Sequence, residues 1–424
     1  MTGAPAPTSQ HPTRPHRTGQ RPTGPHTTAP RLLVGWAVDG HPDDYAAHLR
    51  RHGPLPSSSP CALVTAVEAA GLRGRGGAGF PTSTKLRAVR ATPRRRRTVV
   101  ANGCEGEPAS HKDAALLTCA PHLILDGLAL VAVAVGARDA VLAVHDATGL
   151  DIHLAARHDR VPVRVVEVPD RYVASQETAL VRYLDGGPAL PTTTRPTDTG
   201  TLIDNVETLA HLALIARHGP DWFRAVGTPD LPGTLLVTAG GAVTTPGVVE
   251  VAAGATIRTA LDLAGGPTEP VQAVLSGGYG GAWLHEVDTP LTHDALWGAG
   301  STLGVPTLLA LPTRACGLTQ TAHLARYLAG QSAGQCGPCR FGLPDVAADL
   351  TAIAWSTPDA PAAHERLRRR LDLVTRRGAC ALPDGAARLV RSALQTFAHD
   401  LREHLKGRPC PGAGAPALFP GVQR

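Results

Sequence analysis

The order of apolar segments between residues 98 and 218 constrains this chain most. Three short β-rich runs, Thr98–Ala101, Val141–His145 and Val161–Val168, alternate with stretches whose apolar residues recur at helical spacing. Those stretches are Cys61–Leu72, Ala114–Gly136 with a break at Pro121, Gln176–Leu184 and Asn205–His218. Parallel strands need a crossover connection, commonly a helix, so the alternation predicts an α/β domain with a mainly parallel sheet over residues 31–230.

From residue 231 the texture changes. Leu235–Ala239, Val248–Val251, Val271–Leu275 and Thr307–Leu311 read as strands divided by Gly and Pro, with one helix, Thr256–Ala264, among them. A small mixed β domain is therefore expected over 231–312. Residues 313–408 read as a helical bundle built from Thr319–Leu328, Leu343–Trp355, Ala363–Arg376 and Gly385–Leu405. Residues 1–30 and 409–424 are expected to be tails, the first disordered because it holds almost nothing to bury.

Composition agrees with several modest cores. A chain of 424 residues is too long for one ordinary core, and with 4% aromatics its cores must rest on Ala, Val and Leu. No apolar run reaches the roughly 20 residues of a membrane helix; the longest, Leu123–Ala137, carries Asp126. The N-terminus shows no apolar signal segment, so the expected location is cytoplasmic, or peripheral on the inner membrane through partners, with no direct membrane insertion. A net charge of +6 does not argue for nucleic acid, and the Arg94–Arg97 run lacks the neighbouring aromatics that single-strand binding uses.

Five segments carry chemistry. In Gly71–Thr82, five glycines within nine residues leave backbone N–H groups bare beside Arg73, Arg75 and Lys85, a surface for a phosphate or a flat ring. Gly74, Gly76 and Gly79 match the spacing of a dinucleotide fingerprint, but a helix precedes them and Pro81 follows, so that match is weak. Asn102–Asp113 follows the strand ending at Ala101, where ligands of a parallel sheet bind, and groups Asn102, Glu105, Glu107, Lys112 and Asp113.

The basic residues are skewed: only three of 41 are Lys, and two of those, Lys85 and Lys112, fall in these segments, where a compact point charge is suited to a specific partner. Tyr172–Leu180 and Thr201–Leu209 read as loop-to-helix starts in which Ser175 or Gln176, and Asp204 or Asn205, serve as caps. Cys336-Gly-Pro-Cys339 with Cys380 suits zinc or an iron–sulfur cluster, because both need convergent thiolates.

In this order the segments resemble one family: the flavin-bearing, NADH-oxidising subunit of respiratory complex I and its relatives in soluble hydrogenases and formate dehydrogenases. Gly71–Lys85 resembles that family's glycine-rich FMN/NADH loop, Asn102–Asp113 its Asn-Ala-Asp-Glu-x-Glu-Pro segment, and Tyr172–Leu180 its Gly-Glu-Glu-Thr-Ala-Leu helix start. Asp204–Leu209 resembles its Asn-Asn-Val-Glu-Thr-Leu, Thr238–Val251 its soluble-ligand-binding β-grasp module, and the cysteine bundle its 4Fe–4S domain.

The resemblance implies FMN, NADH and an iron–sulfur cluster as cofactors. NADH stacks on FMN over Gly76–Phe80, hydride passes to the flavin, and single electrons leave through the cluster to a quinone module or ferredoxin. Flavin and dinucleotide contacts are expected from Gly74, Arg75, Gly76, Gly77, Ala78, Gly79, Phe80, Lys85, Asn102, Glu105, Gln176, Asp204 and Asn205. Glu107 and Glu177 are expected to shape the nicotinamide side and are the catalytic candidates. Partners are expected to be other subunits of an electron-transfer complex, ferredoxin-like or carrying a 2Fe–2S cluster.

The chain departs from the family pattern at specific places. The first cysteine of Cys-x-x-Cys-x-x-Cys is Ala333, leaving Cys336, Cys339 and Cys380 for a 3Fe–4S cluster or for a 4Fe–4S cluster with another fourth ligand, for which Cys316 is the candidate. Cys104, Gln176 and Asp204 replace an Asp, a Glu and an Asn of the family pattern. The competing readings are a cofactor-depleted family member acting in assembly or electron relay, and a binding protein stabilised by zinc on Cys336, Cys339, Cys380 and one further His or Cys.

Overall fold

The computed structural model describes residues 29–57 and 59–422, so the N-terminal tail expected over 1–30 lies outside them except for residues 29 and 30. β1 (Thr98–Asn102), β2 (Asp139–Val144), β3 (Val163–Glu167) and β4 (Thr201–Asn205) form an all-parallel sheet in the order β3-β2-β1-β4. Strand β4 corrects the reading of Thr201–Asn205 as a helix start. It is a five-residue strand whose Asp204 and Asn205 hide the apolar pattern, although Leu202 and Ile203 are fully sandwiched.

Side chains alternate across this sheet as the pleat requires. Val99, Ala101, Leu142 and Leu202 face the helices Pro60–Ala70, Pro121–Val135 and Val206–Arg224, whereas Val100, Val141, Ala143 and Ile203 face Val168, Ala174 and Leu180. Gly127 lets two of those helices touch, since a Cβ there would lie 2.0 Å from the Leu209 carbonyl oxygen. Pro121 does break the long apolar stretch: Lys112–Cys119 and Pro121–Val135 meet at 95°. The buried Asp126 of the second helix is held by His48, Arg157 and Arg217. Among the described residues no single helix is long and apolar enough to cross a membrane.

The second sheet runs β6-β5-β9-β7-β8, from β5 (Thr234–Gly241), β6 (Gly247–Ala252), β7 (Val271–Ser276), β8 (Ala282–Leu284) and β9 (Thr307–Pro312). Only β5 and β9 pair in parallel, and the helix Ile257–Leu263 packs against this sheet's core. The helical region comprises Gly317–Gly330, Leu343–Ala354, Ala360–Val374, Leu382–Thr396 and Ala398–Leu405. The expected single helix Gly385–Leu405 is thus two, hinged at Phe397, whose buried ring packs edge-on to Trp283.

The segment expected as a C-terminal tail is also packed. Ala413, Ala417, Phe419 and Val422 are buried, the Gln320 amide donates to the Pro416 carbonyl at 2.9 Å, and the Tyr279 hydroxyl donates to that of Pro420. Its Gly and Pro content signalled irregular backbone, and the few apolar side chains were enough to seat it.

Candidate functional site

The order β3-β2-β1-β4 makes the gap between β1 and β4 a topological switch point, because the chain leaves β1 toward β2 on one side while β4 lies on the other. Crevices at such points, beyond the carboxyl ends of strands, are where parallel α/β sheets bind ligands. Asn102 and Asn205 are the paired last residues of these two strands.

The glycine loop closes over this point. Its neck is a bridge between Arg73 and Pro81, reinforced by the Gly74 N–H donating to the Phe80 carbonyl at 2.9 Å. The Arg75 N–H donates to Thr208 Oγ1 at 2.8 Å, which seats the loop on the first turn of helix Val206–Arg224. Between those anchors, the backbone N–H groups of Gly76, Gly77, Ala78, Gly79 and Phe80 have no acceptor among the described residues. Gly76, Ala78 and Phe80 are exposed, Phe80 at 47%. The loop is therefore open on one side rather than pressed shut.

Its other side is closely packed, most tightly at Gly79. A Cβ on Gly76 would sit 3.3 Å from Asn205, one on Gly77 3.5 Å from Gly304, and one on Gly79, where φ is +61°, 2.7 Å from the His293 ring. His293 and Gly304 come from the second domain and carried no signal in the sequence. A bare, donor-rich main chain with an exposed aromatic at its rim fits a phosphate-bearing flat ring.

Polar side chains cluster around the ends of these two strands. Lys85 Nζ donates to Glu177 Oε1 at 2.5 Å and to the Ile203 carbonyl at 2.9 Å, and lies 3.8 Å from Asp204 Oδ1. Burial works against the Lys85 charge, but Asp204 and Glu177 more than offset it and hold the ammonium above its usual range. Lys85 lies in helix Thr82–Ala91, which starts immediately after Pro81; proline at that place opened a helix rather than excluding one. Asp204 is pushed up to about 7 by burial, against the pull of Lys85, and its Oδ2 has no partner. A buried oxygen left without a donor beside an ammonium is the kind of acceptor that a ligand hydroxyl satisfies.

Asn102 Nδ2 donates to the Ser175 carbonyl at 2.9 Å. Glu105 accepts from Ser110 Oγ at 2.6 Å and from the Ala114 N–H at 3.1 Å and remains half-exposed. Asn205 caps its helix through the Glu207 N–H at 3.1 Å and meets the second retained lysine, since Lys112 Nζ donates to Asn205 Oδ1 at 2.9 Å. Lys112 is buried between Asp113 at 2.6 Å and Glu207 at 3.0 Å; burial opposes its charge and those carboxylates restore it. Burial pushes Asp113 up to about 6.

Arg75, Gln176 and Glu107 have partners within the fold. The Arg75 guanidinium is buried and donates to the Pro232 carbonyl at 2.8 Å, so the residue anchors the loop to the second domain rather than offering its charge to a phosphate. Gln176 Oε1 is occupied by the Thr178 and Ala179 N–H groups, the plain cap that its position allowed. Glu107 and Glu177 serve different surroundings: Glu177 pairs with Lys85, whereas Glu107 is buried, accepting the Tyr279 N–H at 2.8 Å and the Tyr172 hydroxyl at 3.3 Å. Burial pushes Glu107 up to about 7.

The cysteines form a second centre. The backbone N–H groups of Ala379 and Cys339 donate toward Cys336, more than offsetting burial and holding its thiol below the usual value. Burial and the neighbouring Cys336 and Cys380 push Cys339 up to about 12. The three cysteines are thus near enough for each to feel another's charge.

Cys316 does not belong to it. It caps the start of Gly317–Gly330, and His404, which hydrogen-bonds it at 3.7 Å, also contacts the Ile353 carbonyl near the end of Leu343–Ala354. Cys339 lies at the opposite end of this hairpin, just before Leu343, across a 14-residue helix of ~20 Å.

One helix joins the two centres. Glu177–Leu184 begins at the residue bound by Lys85, and its Arg182 donates at 3.4 Å to Gln335, the residue before Cys336. Gln335 Nε2 also donates to the Pro191 carbonyl at 3.0 Å, so the cysteine loop is docked on the α/β domain.

Comparison with known proteins gives three family matches in chain order: the Nuo51 FMN-binding domain at residues 67–214, the SLBB domain at 236–280, and the NADH-ubiquinone oxidoreductase-F iron-sulfur binding region at 319–404. An F subunit of NADH-quinone oxidoreductase from Rhizobium meliloti (strain 1021) is 30% identical over 84% of this chain and 92% of its own length. The HndC subunit of the NADP-reducing hydrogenase of Solidesulfovibrio fructosivorans is 26% identical over 89% and 83%. Crystal structures of an NAD+-reducing NiFe hydrogenase are 30% identical to this chain. The air-oxidized state aligns with a TM-score of 0.78, covering 92% of this chain and 70% of that one. The H2-reduced state aligns at 0.77, covering 88% and 66%.

Proposed function

The chain belongs to the family of NADH-quinone oxidoreductase F subunits, and from that premise we propose that it takes hydride equivalents from NADH and delivers them as single electrons to a partner protein. FMN, when bound, supplies the exchange between two-electron and one-electron chemistry, which no side chain here can perform. The observation that carries the reading is the row of five unpaired N–H groups from Gly76 to Phe80, exposed at Gly76, Ala78 and Phe80, above the β1–β4 switch point.

In this reading the Gly76–Phe80 main chain and the exposed Phe80 ring bind the planar groups. Lys85, Asn102, Glu105 and Asn205 hold the polar chain, with the unpartnered Asp204 oxygen as a further acceptor. Glu177, bound to Lys85, and Glu107, near neutrality in its buried niche, border the nicotinamide side. Cys336, Cys339 and Cys380 ligate a cluster whose fourth iron has no cysteine, because Ala333 stands there. The docking of Gln335 against Arg182 supports electron transfer along the Glu177–Leu184 helix. The partner is a soluble electron-transfer protein that docks over the half-buried Cys336 and Cys380.

Anaerobic reconstitution with FMN, iron and sulfide tests this. The expected product is yellow-brown, holds about one flavin per chain, and is bleached by NADH. A chain that retains flavin but ignores NADH removes the donor assignment, and one that retains none removes the reading. Ala333 favours a second reading, a cluster-poor relay member, which a reconstituted chain with flavin but no stable iron would establish.

A further inference from the structure

Cys316, His404 and Cys410 arrive from separate places in the chain, and their ligand atoms lie within 4.8 Å of one another. Cys316 caps helix Gly317–Gly330, His404 sits in the last turn of Ala398–Leu405, and Cys410 precedes the turn Pro411–Gly414. We propose that these three side chains bind one zinc-class divalent ion, at a structural site separate from the Cys336, Cys339 and Cys380 centre.

The spacing matches. Bonds of ~2.3 Å to sulfur and ~2.0 Å to nitrogen at a tetrahedral angle place sulfur and nitrogen about 3.5 Å apart. Cys316 Sγ and His404 Nε2 are 3.7 Å apart.

The imidazole is set in the ligating tautomer. His404 Nδ1 lies 3.2 Å from the Ile353 carbonyl, which can only accept, so Nδ1 carries the proton. Nε2 therefore turns its lone pair toward the sulfurs, where the Cys410 N–H donates to it at 3.1 Å. A backbone acceptor on the far nitrogen is the usual support of a metal-bound histidine. Metal binding replaces the Cys410 amide contact. The Thr319 N–H donates to Cys316 Sγ at 3.4 Å, so a thiolate there is stabilised by a helix N-terminus.

The donor set selects the metal. Two thiolates and an imidazole favour zinc-like ions over the hard cations that want oxygen. His404 is fully buried and Cys410 half-exposed, so the ion and a solvent molecule as fourth ligand enter on the Cys410 side. The consequence is mechanical: the ion pins the start of the C-terminal segment to helix Gly317–Gly330, beside the Thr319 hydroxyl that donates to the Ala413 carbonyl at 3.2 Å. That segment continues over Tyr279, whose N–H holds Glu107.

The test uses the full chain, purified anaerobically and incubated with zinc, with zinc, iron and flavin counted separately. About one zinc per chain is expected. Cys316→Ser with Cys410→Ser should abolish it while iron and flavin remain, and Cys336→Ser with Cys339→Ser should abolish iron while zinc remains. Cobalt loaded into the unmutated chain should give a thiolate-to-metal absorption band, a readout that survives even if the serine variant does not fold. No cobalt band, zinc that disappears with the Cys336 pair, or a Cys316–Cys410 disulfide in place of metal would each overturn the site. Because the zinc count does not depend on flavin or NADH, its failure is distinct from failure of the electron-transfer reading.

Discussion

Asn205 Nδ2 donates to the Asn102 carbonyl at 3.2 Å, tying together the last residues of two parallel strands that are about a hundred positions apart in the chain. The bond forms a floor beneath the glycine loop, where Gly76 lies against Asn205. The same amide also donates to Asp113 at 2.7 Å while its oxygen accepts from Lys112, so Asn205 joins the floor to the buried charge cluster.

Lys85→Ala should lose FMN and keep the fold. A hydrogen bond to a charged group contributes ~1.5–3 kcal/mol, so FMN affinity should fall about 10- to 100-fold. Asp204 already titrates at about 7 and takes up a proton rather than remain an unpaired anion. Flavin titration of the apoprotein checks this alongside a thermal melt; undiminished flavin affinity would count against Lys85.

Gly79→Ala should be destabilising for two separable reasons. Its φ of +61° costs a side-chain-bearing residue ~1–2 kcal/mol, and the new Cβ lies 2.7 Å from the His293 ring. Adding His293→Ala should recover the steric part and leave the conformational part. Urea unfolding of the two single variants and the double variant measures the coupling; strictly additive effects would mean the ring yields freely.

Ala333→Cys should supply the missing thiolate. The unmutated chain is expected to hold a cluster that readily drops to three irons on mild oxidation, and the variant one that keeps four. Iron and sulfide counts before and after ferricyanide decide it, and equal retention in both chains would show that another group already ligates the fourth iron.

Glu107→Gln should change how stability depends on pH. The Glu107 carboxyl titrates at about 7 in the fold against 4.5 when free. Between those values the folded chain holds a proton that the unfolded chain has released, so this group lowers stability as pH rises through that window. Glutamine mimics the protonated form. The variant should match the parent near pH 4 and exceed it near pH 8, by about 3 kcal/mol. Parallel unfolding midpoints at the two pH values would rule this out.

The local chemistry was legible from sequence because it depends on neighbours a few residues away. The bare glycines at 71–79, the strand before Asn102, the paired lysines and the Cys-x-x-Cys pair each announce themselves within a short window. Domain order was legible for the same reason, since the change from strand–helix alternation to short strands to helices is a change of period.

What only tertiary structure decided is where long-range packing sends a side chain. Strand β4 is a strand because β1 offers it a parallel partner, a fact no window around Thr201–Asn205 contains. The Arg75 guanidinium is drawn to the Pro232 carbonyl and His293 is brought under Gly79 by the docking of the second domain. Cys316 is parted from Cys339 by the length of one helix and delivered to His404 and Cys410 by a chain reversal nearly a hundred residues later. Sequence fixes which atoms are available to bind; the entropy-costly closure of long loops around separate cores determines which of them meet.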